Sequence, residues 1–388
     1  GYNLERAEVI AGIHSTYLNA GADVLTTNTF SANRFKLAGT GLVLADVIRT
    51  AVEIARWAAE DKLVALDIGP LGQLMEPYGT LSFEAAYEAF AEQVRVGAAA
   101  GADLILIETM SDLYEAKAAI LAARENADLP IFCTMTFQED GRTLTGADPL
   151  TMVNTLQSLG VTALGFNCSL GPKELLPLVR EALKFAQVPI MVQPNAGLPQ
   201  SVGEETVFQT TPAEFAAYAK QMAAAGVRIL GGCCGTTPAH IQALKSMLAD
   251  EKPVKTKVPR LTAASSATTT VTLGGAVKII GERINPSGKP RLKEALRQGN
   301  LEYLLREAVD QQDHGAHILD LNVGLPEIDE KTVMVKAIQE IQGIVNLPLQ
   351  IDSVNPEVIE AAARIYNGRP IINSVNGEAK SMATILPI

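Results

Sequence analysis

Two strings concentrate the thiol chemistry of this chain: Gly-Gly-Cys-Cys-Gly at Gly231–Gly235 and Gly-Phe-Asn-Cys at Gly165–Cys168. Each follows a short apolar run that reads as a strand, Thr162–Phe166 and Val227–Leu230. Cys168, Cys233 and Cys234 are therefore expected where strands give way to loops. Three thiolates gathered from the strand ends of a barrel would make a zinc site with one open corner, which is what a substrate thiol needs. Adjacent residues on a regular strand point to opposite faces. The glycines flanking the pair permit turns that let both cysteines face one metal. A vicinal disulfide and a pair of buried core thiols are the alternatives for these residues. Three thiolates around a zinc dication leave a net negative charge, and a substrate thiolate adds another. That charge keeps electron density on sulfur and suits alkyl transfer to a thiol better than activation of water. Cys133 lies inside a strand-like run and reads as core. His240, close after the pair, reads as a structural residue of the next helix.

Polar residues cluster at the other strand ends, where a barrel keeps its active site. They are Thr26, Asn28, Asp67, Glu108, Asn167 and Asn195. Glu108 is a candidate acceptor for a substrate ammonium. Asn195, in Gln193–Gly197, is a candidate cap on the metal site when substrate is absent. For each residue taken singly, satisfying loop backbone is the competing role. The stretch Gly141–Pro149 reads as a βα loop, either a substrate cover or turn chemistry.

The elements that must position these groups alternate along the chain. Strands are expected at Asp23–Thr27, Leu63–Asp67, Leu104–Glu108, Ile131–Thr136, Ala163–Asn167, Ile190–Gln193 and Arg228–Gly231. Ala-rich helical stretches separate them, including Phe83–Ala100, Leu113–Arg124 and Lys173–Phe185. Continuous apolar strands are typical of a parallel sheet covered on both faces. Seven βα units in about 250 residues give a (β/α)₈ TIM barrel one strand short. The chain opens on a helix-like stretch, Leu4–Ala20, so the first strand is the one expected to be missing. Residues 251–272 lack apolar periodicity and read as a linker, polar from Glu251 to Thr270. A second series follows in residues 273–388, with strands expected at Val277–Gly281, His317–Asn322, Leu347–Asp352 and Pro370–Ser374. It reads as the first half of another (β/α)₈ barrel.

Bulk properties narrow the partners. The 388 residues carry a formal charge of −11, which disfavours nucleic acid. No apolar stretch approaches the roughly 20 residues of a membrane span, and no secretory signal is visible. Four cysteines in a chain this long are not a disulfide framework, so a reducing cytoplasm is expected.

The strings TTNTF (Thr26–Phe30), DIGP (Asp67–Pro70), ET (Glu108–Thr109), LTGADP, GFNCSLGP (Gly165–Pro172), PNAG (Pro194–Gly197) and GGCCGTTPAH (Gly231–His240) resemble the homocysteine S-methyltransferase family over residues 1–250. The resemblance implies that Cys168, Cys233 and Cys234 hold zinc and that zinc binds homocysteine. Glu108, Asn195, Thr26 and Asn28 are the candidate homocysteine contacts. IGERIN (Ile280–Asn285), DLNVG (Asp320–Gly324), QIDS (Gln350–Ser353) and INSVNGE (Ile372–Glu378) resemble the pterin-binding barrels. There Glu282, Asn285, Asp320, Asn322, Asp352 and Asn373 would hydrogen-bond the edge of a folate. A homocysteine barrel followed by a folate barrel is the order in the cobalamin-dependent methionine synthase family, and the chain resembles the front of its members. The resemblance implies methyl transfer from methyltetrahydrofolate, through cobalamin bound by a domain not present here, to zinc-bound homocysteine, giving methionine. The chain is expected to be a fragment, incomplete for turnover. Two readings compete: a cobalamin-independent methyltransferase using betaine or S-methylmethionine, and a zinc-binding scaffold without catalysis.

Overall fold

The computed structural model describes residues 1–203, 205–254 and 258–388. It divides into two compact units, Gly1–Arg260 and Leu261–Ile388. In the first unit the strands are β1 (Val24–Thr26), β2 (Leu63–Ile68), β3 (Leu104–Met110), β4 (Ile131–Met135), β5 (Ala163–Asn167), β6 (Ile190–Gln193), β7 (Gln200–Val202), β8 (Glu205–Val207) and β9 (Ile229–Leu230). Seven of them form one sheet in the order β1-β2-β3-β4-β5-β6-β9, and every neighbouring pair is parallel. This is the expected barrel order with seven strands. Among the described residues no pairing joins β1 to β9. Tyr17 and Lys245 link the flanking segments instead, through Tyr17 Oη to the Thr236 carbonyl at 3.2 Å and Lys245 Nζ to Asp23 at 2.7 Å.

The sequence explains the layers. Val64, Ala65, Leu66 and Ile68 of β2 are all buried, because helices cover the outer face of a parallel sheet and the lumen the inner one. The helices begin where the sequence places caps. Ser82 Oγ accepts from the Ala85 N–H ahead of helix Phe83–Ala99, and Asp148 Oδ1 from the Thr151 N–H ahead of helix Pro149–Ser158. The opening helix-like stretch is broken at Arg6 into Tyr2–Glu5 and Ala7–Asn19. The antiparallel pair β7–β8 was not expected from the sequence. Its strands are three residues each, too short for a periodicity to register.

The second unit contains β10 (Ala263–Ser265), β11 (Thr270–Thr272), β12 (Ile280–Ile284), β13 (Ile318–Leu321), β14 (Leu349–Asp352) and β15 (Ile371–Asn373). The last four form a parallel sheet in sequence order, the first half of a barrel sheet. Two expectations need correction. The first strand lies at Ile280–Ile284, not Val277–Gly281; Val277 is 89% exposed, and Ile284 supplies the buried end. The stretch read as a linker holds an antiparallel hairpin, β10–β11. Ala264 and Val271 pack on Ile318, the Ser265 N–H donates to the Arg369 carbonyl at 2.9 Å, and Tyr366 Oη donates to the Ser265 carbonyl at 2.9 Å. Its Ser- and Thr-rich composition resembles a spacer, but alternation over three residues suffices once a core lies beneath it. Residues 255–257 of the expected linker lie outside the described residues.

Candidate metal centre

β5 ends at Asn167, and the next two residues, Cys168 and Ser169, adopt left-handed backbone with φ of 61° and 55°. Such conformations cost on the order of 1 kcal/mol or more for residues with a Cβ and persist where the surroundings hold them. Here the Cys168 N–H donates to the Gln193 carbonyl at 3.1 Å, and the Leu170 N–H donates to the Cys168 carbonyl at 2.6 Å. The second cysteine loop is tied to the same neighbouring segment. The Cys233 N–H donates to the Pro194 carbonyl at 2.9 Å, the Cys234 N–H to Asn195 Oδ1 at 3.1 Å, and the Ala196 N–H to the Cys234 carbonyl at 2.9 Å. Gly235 closes this turn at φ 76°, where a Cβ would lie 2.3 Å from the Phe208 ring.

Residues 193–196 thus clamp both loops, and the three sulfurs meet. All three Sγ atoms lie within 4.8 Å of one another, with Cys168 Sγ 3.8 Å from Cys234 Sγ. Tetrahedral zinc with thiolates at about 2.3 Å places its sulfurs roughly 3.8 Å apart, so the donor set and its spacing fit zinc. Cys233 is half-buried and Cys234 exposed, an environment unlike that of core thiols. Cys133, in β4, is fully buried, as expected of core. His240 is structural: Nδ1 faces the Thr237 hydroxyl at 3.0 Å, Nε2 the Thr210 carbonyl at 3.0 Å, and the ring stands edge-on to Phe215.

The thiols do not share charge equally. Hydrogen bonding from the Cys233 thiol, helped by the Ser169 backbone, Cys234 and Asn195, outweighs burial and holds Cys168 down to about 6. Cys233 is pushed up because it donates to Cys168, is buried and faces negative neighbours. Cys234 is raised by burial and then by Cys168. Cys168 is therefore the first of the three to ionise.

A polar frame surrounds the sulfurs. The β3–β4 register shifts between Ile107 and Met110, and Thr109 takes φ 61° at that irregularity. Asn167 fixes it: Oδ1 accepts from the Thr109 N–H at 2.8 Å and from Thr134 Oγ1 at 2.8 Å, while Nδ2 donates to Thr109 Oγ1 at 2.6 Å and lies 4.0 Å from Cys233 Sγ. Glu108, next to this bulge, is pushed up to about 7 by burial and by the negative charge of Cys168. Asn195 is buried with its amide oxygen on the Cys234 backbone. Thr26 and Asn28 line a cavity of about 660 Å³ that also reaches Cys233. The Asn28 amide donates to Asn3 Oδ1 at 2.8 Å, so its side chain is bound to the opening helix. The framing roles of Asn167, Thr109 and Thr134 were not legible as a set. Their signal was local only, in the Asn-Cys and Glu-Thr dipeptides at strand ends.

In the second unit, Asp352 and Asn373 end β14 and β15 and face each other in register, Asp320 lies in β13, and Asn322 follows that strand. Asn322 Nδ2 donates to Asp352 Oδ2 at 3.0 Å, Gln350 Nε2 donates to Asp320 Oδ1, and Asn285 Nδ2 donates to Glu282 Oε1 at 3.1 Å. Burial holds the Asp320 carboxyl up at about 6 against the Gln350 hydrogen bond, with Asp352 and Glu282 adding to the rise. Because β12 starts later than expected, Glu282 lies inside the strand and only Asn285 follows it.

Residues 2–248 match the family model described as homocysteine S-methyltransferase, and residues 281–387 match the one described as pterin binding enzyme. The chain is 32% identical to a methionine synthase of Mycobacterium tuberculosis (strain ATCC 25618 / H37Rv), over 99% of this chain and 34% of that protein. It is 31% identical to a methionine synthase of Mycobacterium leprae (strain TN), over 97% and 33%. The chain thus spans about a third of the length of these curated relatives. Among solved structures, the metallated form of the Escherichia coli homocysteine methyltransferase MmuM is similar, with 28% identity, a TM-score of 0.55, and coverage of 63% of this chain and 86% of that one. Its oxidized form gives 29% identity at the same TM-score and coverage.

Proposed function

The chain belongs to the homocysteine S-methyltransferase family, and we propose that it is the part of a cobalamin-dependent methionine synthase that binds homocysteine in its first unit and methyltetrahydrofolate in its second. The observation that carries this reading is the convergence of Cys168, Cys233 and Cys234 within 4.8 Å at the C-terminal ends of β5 and β9. Zinc held there supplies a Lewis acid that keeps a substrate thiol ionised near neutral pH. The chain's own groups do the rest. Asn167 and the 193–196 segment hold the cysteine loops at their spacing. Glu108 accepts hydrogen bonds from the substrate ammonium, Asn195 holds the Cys234 loop, and Thr26 and Asn28 line the approach. A methyl group originating on methyltetrahydrofolate and delivered by methylcobalamin would pass to the substrate thiolate, giving methionine and leaving cob(I)alamin.

In the second unit, Asp320, Asn322, Asp352 and Asn373 present donors and acceptors at neighbouring strand ends, with Glu282 and Asn285 beside them. A pterin edge offers a matching row of polar atoms. The pterin-binding match favours this reading over a betaine or S-methylmethionine enzyme, for which the second unit has no use.

The test is zinc content per chain, followed by X-ray absorption with and without homocysteine. One zinc per chain is expected, lost in Cys233→Ser, with a further sulfur neighbour on adding homocysteine. A correctly folded chain that takes no zinc removes the mechanism, and a zinc already saturated without homocysteine makes the site a scaffold. Methyltetrahydrofolate binding checks the second unit.

A further inference from the structure

Helix Pro238–Met247 follows the Cys233–Cys234 turn after only Gly235, Thr236 and Thr237, and His240 stands in its first turn. The His240 side chain is buried, and both ring nitrogens are engaged. Nδ1 accepts from the Thr237 N–H at 3.2 Å. A ring nitrogen that accepts carries no proton, so the proton of the neutral ring sits on Nε2, which donates to the Thr210 carbonyl at 3.0 Å. The Thr210 N–H in turn donates to the Ala196 carbonyl at 2.9 Å, and the Ala196 N–H to the Cys234 carbonyl at 2.9 Å. These links close a ring: from Cys234 along the chain to Thr237, across the imidazole to Thr210, then to Ala196 and back to Cys234. The imidazole is its side-chain link, and the others are backbone. The ring also joins the two ends of the excursion that carries β7 and β8. Gly197 opens that excursion at φ 95°, where a Cβ would lie 2.6 Å from Thr210 Oγ1, and Thr210 closes it.

Resting on the reading of the three cysteines as a metal centre, we propose that His240 is a positioning residue for that centre. It ties the return of the β7–β8 excursion to the helix behind Cys233 and Cys234, and so fixes the backbone from which both sulfurs project. The ring is not itself a ligand, because both nitrogens are bound to Thr237 and Thr210. Phe215 stands edge-on to it at 5.4 Å and holds its plane. A ligand turn that is tied in place before the metal arrives loses less freedom on binding, so each tie raises affinity. By the reciprocity of linked equilibria, the metal must strengthen the same ties. The Thr210 link matters most, since it alone carries the ring from the helix to residues 193–196, which hold the Cys168 loop as well.

Two near-isosteric variants separate the two nitrogens. The amide N–H of glutamine takes the place of Nε2–H and reaches Thr210, whereas the amide oxygen of asparagine takes the place of Nδ1 and accepts from Thr237. Zinc affinity is read by chelator competition, the cobalt(II) form by its thiolate-to-cobalt absorption, and stability by urea unfolding. His240→Asn is expected to lower zinc affinity about 10- to 100-fold and to shift the cobalt band. His240→Gln should stay within about 3-fold of the wild type although it loses the Thr237 link, so that affinity follows the Thr210 tie and not stability. Equal affinities in the two variants, or the reverse order, overturn the role. If His240→Asn fails to fold, hydrogen exchange on the wild type carries the test. Removing zinc should speed exchange at the Ala196 and Thr210 amides by about 10-fold or more, and unchanged rates overturn the role. A folded wild type that takes no zinc overturns the metal centre itself, and the positioning role with it.

Discussion

Asn167 shows how much one side chain can organise here. Its amide fixes the Thr109 backbone and the Thr134 hydroxyl and lies 4.0 Å from Cys233 Sγ, so it would act on a metal held by the cysteines only through the residues that carry the sulfurs. Groups of this kind typically change metal affinity about 10- to 100-fold when removed. Asn167→Ala is expected to lower zinc affinity within that range in chelator competition while Cys168, Cys233 and Cys234 are all still present. Glu115 makes a different point. It is 5% exposed, accepts from the Leu71 N–H at 2.7 Å, and is pushed up from 4.5 to about 7, mainly by burial. The folded state thus keeps a proton that the unfolded chain releases between about pH 4.5 and 7. Stability falls as pH rises through that window. Glu115→Gln keeps an acceptor for Leu71 and has no proton to lose. It should match the wild type near pH 4 and exceed it near pH 8 by up to about 3 kcal/mol, read from urea unfolding at both pH values.

At the scale of elements, close approach between β5 and β6 sets the cysteine geometry. A Cβ on Gly165 would sit 1.7 Å from the Met191 carbonyl oxygen. The two strands can carry Cys168 and residues 193–196 side by side only because that position has no side chain. Gly165→Ala must push the strands apart, at an expected cost of about 3 kcal/mol or more in stability. Since Cys168 is anchored to Gln193, zinc retention should fall with it, and denaturant midpoint and metal content measured together check both. The hairpin β10–β11 illustrates the opposite case, where a polar segment gains its structure from the surface it covers.

At the scale of the molecule, the two compact units carry separate chemistry: thiols in Gly1–Arg260 and carboxylates and amides at strand ends in Leu261–Ile388. Each site is built by its own sheet, so each should tolerate loss of the other. Cys233→Ser is expected to abolish zinc binding and leave methyltetrahydrofolate affinity within about 2-fold, whereas Asp320→Ala should do the reverse. Coupled losses in a titration of both variants would show that the units are not independent in binding.

The sequence by itself determined the class of the fold, the strand ends on which the polar groups stand, and the three cysteines as a set. Those properties are local: an apolar run followed by a Gly-rich turn reads the same wherever it is packed. It placed Ala163–Asn167 and Ile190–Gln193 to the residue, because burial on both faces leaves a continuous apolar signature. It misplaced β12 and missed β10–β11 and β7–β8, short segments whose pairing depends on partners. Only the tertiary structure decided that Cys168 and Cys234 stand 3.8 Å apart and that residues 193–196 clamp both loops. The reason is physical: those contacts join residues 25 to 66 positions apart along the chain, and no local preference of the backbone encodes them until the sheet brings its strands together.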